Sequence, residues 1–204
     1  MSIVIPESVK SYCASHGVRT AINTLSEQST SYVPDNLEWD ELPSYYQSVL
    51  AAATVKTDFA LLHLNIWDAV WKPALEACCV TEPWTIDDMQ QEENPPSLDT
   101  LWDDGFYRTH YHPNDREARI DTLVQIAIVQ NQLLIYISLA TWDAEGNPQE
   151  LVLPAEWERS VSDNGWYNTG KDAFPAIDPK ASTEIECTPM RKAAEEALRQ
   201  MMGA

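Results

Sequence analysis

The chain has 204 residues, 44% apolar and 22% charged, which is ordinary globular usage and excludes disorder throughout. Its 32 acidic residues against 13 basic ones give a formal net charge of −19. Such a surface repels nucleic acid and anionic membranes and attracts basic partners, so neither direct nucleic-acid binding nor membrane association is expected.

The length fits one large domain or two small ones and is enough to bury a core without covalent staples. Six glycines argue against an all-β chain with many tight turns. In chain order, Pro6-Glu7 opens a first helix with Val9 and Cys13 on one face, and Gly17 is expected to end it. Val18, Ala21, Ile22 and Leu25 then stand at helical spacing, followed by a polar connection over 27–41. From Pro43 a long helix is predicted. Tyr46, Val49, Leu50 and Ala53 begin its apolar stripe, and Phe59, Leu62, Ile66 and Val70 continue it. A break is expected at Thr54 to Thr57, and Pro73 is expected to end or kink the helix near Trp71. Residues 81–100 are acidic, hold three prolines and lack periodicity, so they read as a linker or loop.

Beyond it, Phe106 to Tyr111 reads as a strand. LVQIAIV (123–129) and LLIYISLA (133–140) are rich in β-branched residues and separated by Gln130-Asn131-Gln132. With Glu150–Leu153 they predict an antiparallel meander whose central strands are buried on both faces. Residues 154–181 read as irregular, and Thr183–Cys187 as an added edge strand. Thr188-Pro189 starts a final helix, with Met190, Ala194, Ala197, Leu198 and Met201 on the face that packs on the meander. Lys192–Glu196 and Glu195–Arg199 pair on its other face. The expected organisation is a helical part over 1–80, an acidic linker over 81–100 and an α+β part over 101–204. The fold class is α+β.

Four cysteines, Cys13, Cys78, Cys79 and Cys187, form no CxxC pair and read as reduced, packed thiols of a cytoplasmic protein. MSIVIPESVKSYC lacks the basic region and apolar run of a signal peptide. No stretch approaches the roughly 18 apolar residues of a membrane helix, so a cytoplasmic location is expected.

Three constellations invite chemistry. Gly165 to Lys171 has the G-x4-G-K spacing of a phosphate-binding loop. Asp172 stands where a hydroxyl must bind magnesium, and no helix can open in AFPAIDP, so a surface loop is the reading. His110 and His112 would share one face of a strand, and Asp103, Asp104 or Asp115 could complete a metal site. His63, Trp67 and Trp71 recur at one-turn spacing, which predicts aromatic packing at a helix interface. Five of eight tryptophans are followed by an acid (at Trp39, Trp67, Trp102, Trp142 and Trp157), but the spacing is too irregular for propeller repeats.

Between Asp35 and Asp104 the chain holds −13 of its −19, with Lys56 and Lys72 as the only bases. The densest run is Glu82, Asp87, Asp88, Glu92, Glu93, Asp99, Asp103 and Asp104, which also contains Trp84 and Trp102. Acids that steer association and tryptophans that anchor it predict a non-enzymatic binding protein for a basic protein surface, such as that of a nucleic-acid-binding protein. An inhibitor that mimics nucleic acid, of the kind small phages and plasmids direct at host nucleases, and an immunity protein against a basic toxin both need such a face. No catalytic residue and no cofactor are assigned. The alternatives are a metal-dependent hydrolase built on His110 and His112, and a structural or assembly component.

Overall fold

The computed structural model describes residues 1–26, 34–79, 106–111, 119–143, 145, 147–149, 154–161, 167–171 and 174–201. In chain order they form β1 (Ser2–Val4), α1 (Glu7–Cys13), α2 (His16–Ser26), α3 (Leu42–Cys79), β2 (Phe106–Tyr111), β3 (Arg119–Val129) and β4 (Gln132–Trp142). There follow β5 (Pro148–Gln149), β6 (Glu158–Val161), β7 (Tyr167–Lys171), β8 (Glu184–Glu186) and α4 (Thr188–Met201). The class is α+β, with an N-terminal helical part, an antiparallel meander and a packed C-terminal helix.

Pro6 opens α1, its carbonyl accepting the N–H of Lys10 at 3.0 Å. Gly17 does not end this helix. Ser15 restarts the chain instead, its hydroxyl accepting the Val18 N–H at 3.2 Å and its carbonyl the Arg19 N–H, so Gly17 lies in the first turn of α2. The expected stripe of α2 is only half realised: Ile22 and Leu25 are half-buried, whereas Val18 and Ala21 are exposed. Arg19 reaches back to the Cys13 carbonyl (3.1 Å) and across to Asn131 Oδ1 (2.9 Å), which ties the end of α1 to the tip of the β3–β4 hairpin.

Helix α3 runs 38 residues, about 57 Å. It does not break at Thr54–Thr57, where the Thr54 hydroxyl donates to the Leu50 carbonyl and Val55 and Phe59 turn into the core. Nor does Pro73 end it, since Ala74, Leu75 and Cys78 beyond it are buried and hold the last turns in place. Its buried face is Val49, Ala52, Val55, Phe59, Leu62, Ile66 and Val70. Tyr46, Leu50 and Ala53, expected on that face, point outward. Both sides are apolar, so periodicity alone could not choose between them. For the same reason a window of α3 reaches a mean hydropathy of 1.3, long and apolar enough to span a membrane by composition, although 44% of it is buried inside the protein.

The main sheet has the order β2-β3-β4-β7-β6, and β5 also pairs with β4. Strands β3 and β4 pair from Arg119↔Trp142 to Val129↔Gln132. They are joined by Gln130 and Asn131 at φ 52° and 65°, the two left-handed positions of a type I′ turn. Strand β2 spans the predicted residues. One sheet face is buried through Leu133, Ile135, Ile137 and Leu139. The other is mixed, with Leu134, Tyr136 and Ser138 half-buried and Gln125 exposed, so the central strands are not buried on both faces. Strands β6 and β7 fall in the stretch read as irregular, and Glu150–Leu153 lies outside the described residues. Strand β8 does not extend the meander. It pairs with β1 in a separate sheet, Ile3 opposite Ile185.

Helix α3 meets the sheet through a stripe of polar aromatics. The Trp67 indole N–H donates to Thr122 Oγ1 (3.0 Å) and the Trp71 N–H to the Leu123 carbonyl (3.0 Å). His63, fully buried, bonds the Phe59 carbonyl through Nδ1 (2.9 Å) and accepts the Ile126 N–H at Nε2 (3.2 Å). That pattern requires a neutral ring with its proton on Nδ1. Ile126 lies one residue past the last β2–β3 pair, Phe106↔Gln125. The expected aromatic packing is present too, Phe59 meeting His63 edge-on at 5.0 Å. Buried residues of α1, α3, the sheet and α4 form one core cluster.

Helix α4 buries Met190, Ala193, Ala194, Ala197 and Leu198 and packs against α3, with Cys78 Sγ 3.7 Å from the Glu195 carbonyl. On its outer side Glu195 lies between Arg191 (3.6 Å) and Arg199 (3.9 Å). Cys13, Cys78 and Cys187 are buried thiols outside any disulfide, and burial pushes Cys13 and Cys187 up to about 11 and raises Cys78.

Two expectations follow. Trp67→Phe should cost about 1–3 kcal/mol, because Thr122 loses its buried partner; adding Thr122→Val should cost less than the sum of the single changes, as read by urea denaturation. Glu186 is held at about 2 by hydrogen bonds from Thr188, first its side chain and then its backbone N–H, with the Met1 ammonium and Ser2 hydroxyl adding to them. A depressed carboxylate contributes stability above its ordinary value of 4.5 and loses it as pH falls toward 2. Carboxyl NMR titration should therefore find Glu186 ionised at pH 3.5.

Candidate partner-binding surface

Glu82, Trp84, Asp87, Asp88, Glu92, Glu93, Asp99, Trp102, Asp103 and Asp104 all lie outside the described residues. His110 is placed in β2, in register with Asp121, while His112 and Asp115 lie outside. Among the described residues no group of three His, Cys, Asp or Glu could hold a metal ion. Residues 167–171 of the phosphate-loop spacing form β7, Gly170 pairing with Ser138 on one side and Glu158 on the other, rather than a surface loop. A backbone paired on both sides has no free N–H groups to cradle phosphate.

A second acidic segment is described, in the approach to α3. Residues 34–41 form two turns, with Leu37 N–H on the Pro34 carbonyl (3.1 Å) and Glu41 N–H on the Glu38 carbonyl (3.0 Å). Glu41 then caps the helix. Its carbonyl accepts the Tyr45 N–H (3.0 Å), and its carboxylate returns to the Glu38 N–H (3.0 Å). Carboxylates gather here at little cost because the start of a helix carries partial positive charge. Asp35, Glu38, Asp40 and Glu41 are all exposed, and no Lys, Arg or His occurs between residues 34 and 55.

Trp39 stands in the middle of these acids, 87% exposed. The contrast with the other described tryptophans is sharp. Trp67, Trp71, Trp142 and Trp157 are buried, and Trp142 donates its N–H to the buried Asp121 at 3.0 Å. Trp71 and Trp157 meet edge-on at 6.4 Å. These four hold the core, whereas Trp39 contributes little to it. Sequence reading places Trp39 in a polar connection and counts it among the tryptophans followed by an acid, but chooses Trp84 and Trp102 as the anchors. The available signal is a tryptophan flanked directly by Glu38 and Asp40.

A hollow of about 560 Å³ beside α4 is lined by Lys192, Glu195, Glu196, Arg199 and Gln200. Its charges are of both signs, so it lacks the one-sided field found around Trp39. No family model, no curated protein and no solved structure matches this chain. What the protein does is therefore read from its own surface chemistry.

Proposed function

We propose that the chain is a non-enzymatic binding protein that engages a basic surface on another protein. The observation that carries this is Trp39, 87% exposed and set among Asp35, Glu38, Asp40 and Glu41. An indole buries roughly 200 Å², which at about 25 cal/mol per Å² is about 5 kcal/mol before the costs of association. Leaving it in water is unfavourable unless a partner covers it. The carboxylates steer that partner and select for Lys and Arg. The net charge of −19 extends the field over the molecule.

The acids of 82–104, with Trp84 and Trp102, enter this proposal by charge alone. A partner with a basic nucleic-acid groove suits the same chemistry, which is how an inhibitor or an immunity protein would use the surface. The metal-dependent alternative rests on His112, Asp103, Asp104 and Asp115, which lie outside the described residues, and it is not carried further.

Affinity capture from a cell lysate, eluted with a salt gradient, tests the proposal. A basic protein should be retained at low salt and released as the Debye length falls from about 10 Å to about 3 Å. Trp39→Ala should leave unfolding within about 0.5 kcal/mol of the parent, since the side chain is exposed, yet weaken capture at least about tenfold. Neutralising Asp35, Glu38, Asp40 and Glu41 should slow association. Unchanged retention of the same protein by both variants, or elution insensitive to salt, would contradict the proposal.

A further inference from the structure

The outward face of α3 is mixed, with Gln47, Thr54, Asn65 and Lys72 exposed, yet one apolar seam runs along it. Tyr46 (40% exposed), Leu50 (63%), Ala53, Thr57 and Leu61 (40%) succeed one another at steps of four, three, four and four residues. That spacing draws a straight seam of about 22 Å along one side of the helix. Large apolar side chains lined up along an exposed helix side mark a place for a partner to cover. Elsewhere α3 is covered by α1, α2, the sheet and α4. The outward seam begins seven residues after Trp39, just past the turns that hold the four carboxylates, and two turns past Leu61 the same side reaches the exposed Asp68.

We infer that this seam is the docking face for a basic amphipathic helix of the partner, laid along α3. The inference rests on the binding function proposed above and names its mode. Leucine-like side chains of the incoming helix pack on Tyr46, Leu50 and Leu61. Its Lys and Arg residues meet Asp35, Glu38, Asp40 and Glu41 at one end and Asp68 at the other. Charge selects this occupant. An anionic membrane or a second copy of a chain at −19 would bring like charge against the same carboxylates.

The test is fluorescence anisotropy of the full chain with a labelled peptide of about 18 residues, Leu and Lys in amphipathic helical order, beside a scramble of the same composition. The ordered peptide should bind at least about tenfold more tightly than the scramble. Leu50→Ser with Leu61→Ser should weaken it at least about tenfold while circular dichroism stays unchanged, because both side chains are exposed. Equal binding of peptide and scramble, or of parent and variant, overturns helix docking and leaves the basic-partner function standing, since charge alone then suffices. Failure of the ordered peptide to bind overturns the docking mode as well, and salt-gradient capture separately decides the function. A dimer in light scattering that the double variant dissolves would assign the seam to a second copy and overturn the inference. Vesicle co-sedimentation lost in the same variant would assign it to lipid, with the same consequence.

Discussion

The contact on which the rest of the structure depends is the polar aromatic stripe of α3 against β3. His63, Trp67 and Trp71 lie one turn apart and address the Ile126 N–H, the Thr122 hydroxyl and the Leu123 carbonyl. Apolar packing alone would let a helix with two apolar sides settle in more than one rotation. Three buried polar contacts do not, because any other rotation strands donors and acceptors at about 1–3 kcal/mol each. The remaining elements attach to the helix so fixed. The Ser8 hydroxyl donates to Asp58 and Tyr12 packs on Phe59, which holds α1. Cys78 and its neighbours receive α4.

Fixing the inner face also determines what lies outside. Once Val49, Ala52, Phe59 and Leu62 turn inward, Tyr46, Leu50 and Leu61 must turn out, whatever their hydropathy. The helix cap then gathers Glu38 and Glu41 in the turns before the seam, with Trp39 and Asp40 between them. Fold stability and the proposed docking seam are thus two sides of one helix, with Trp39 and its carboxylates on the turns that lead into it.

The sheet was legible in the sequence where strands are apolar and continuous. Strands β3 and β4 and the closing helix carry enough Val, Ile, Leu and Ala for their contents to be read directly, and β2 is read from its aromatic and β-branched residues. Strands β6 and β7 were not legible, because ERSV and YNTGK are short and polar, and the pairing of β7 with β4 and of β6 with β7, rather than composition, makes them strands. Strand β1 was missed because three residues become a strand only against β8, more than 180 positions away. The partner of α4 was misread for a related reason: its apolar face is plain in the sequence, but which neighbour fills it is a tertiary fact. For the proposed binding surface, net charge was legible, while the acids expected to carry it, 82–104, lie outside the described residues. Attention went to the longest acidic run, while the exposed indole lies in a shorter one.

Hydrogen exchange on the complex with the salt-eluted basic partner tests the two-sided account of α3 most directly. Slowed exchange over residues 35–64, with the β3–β4 hairpin unchanged from the free protein, is the predicted footprint. Protection confined to the sheet or to α4, with residues 35–64 exchanging as they do alone, would contradict it.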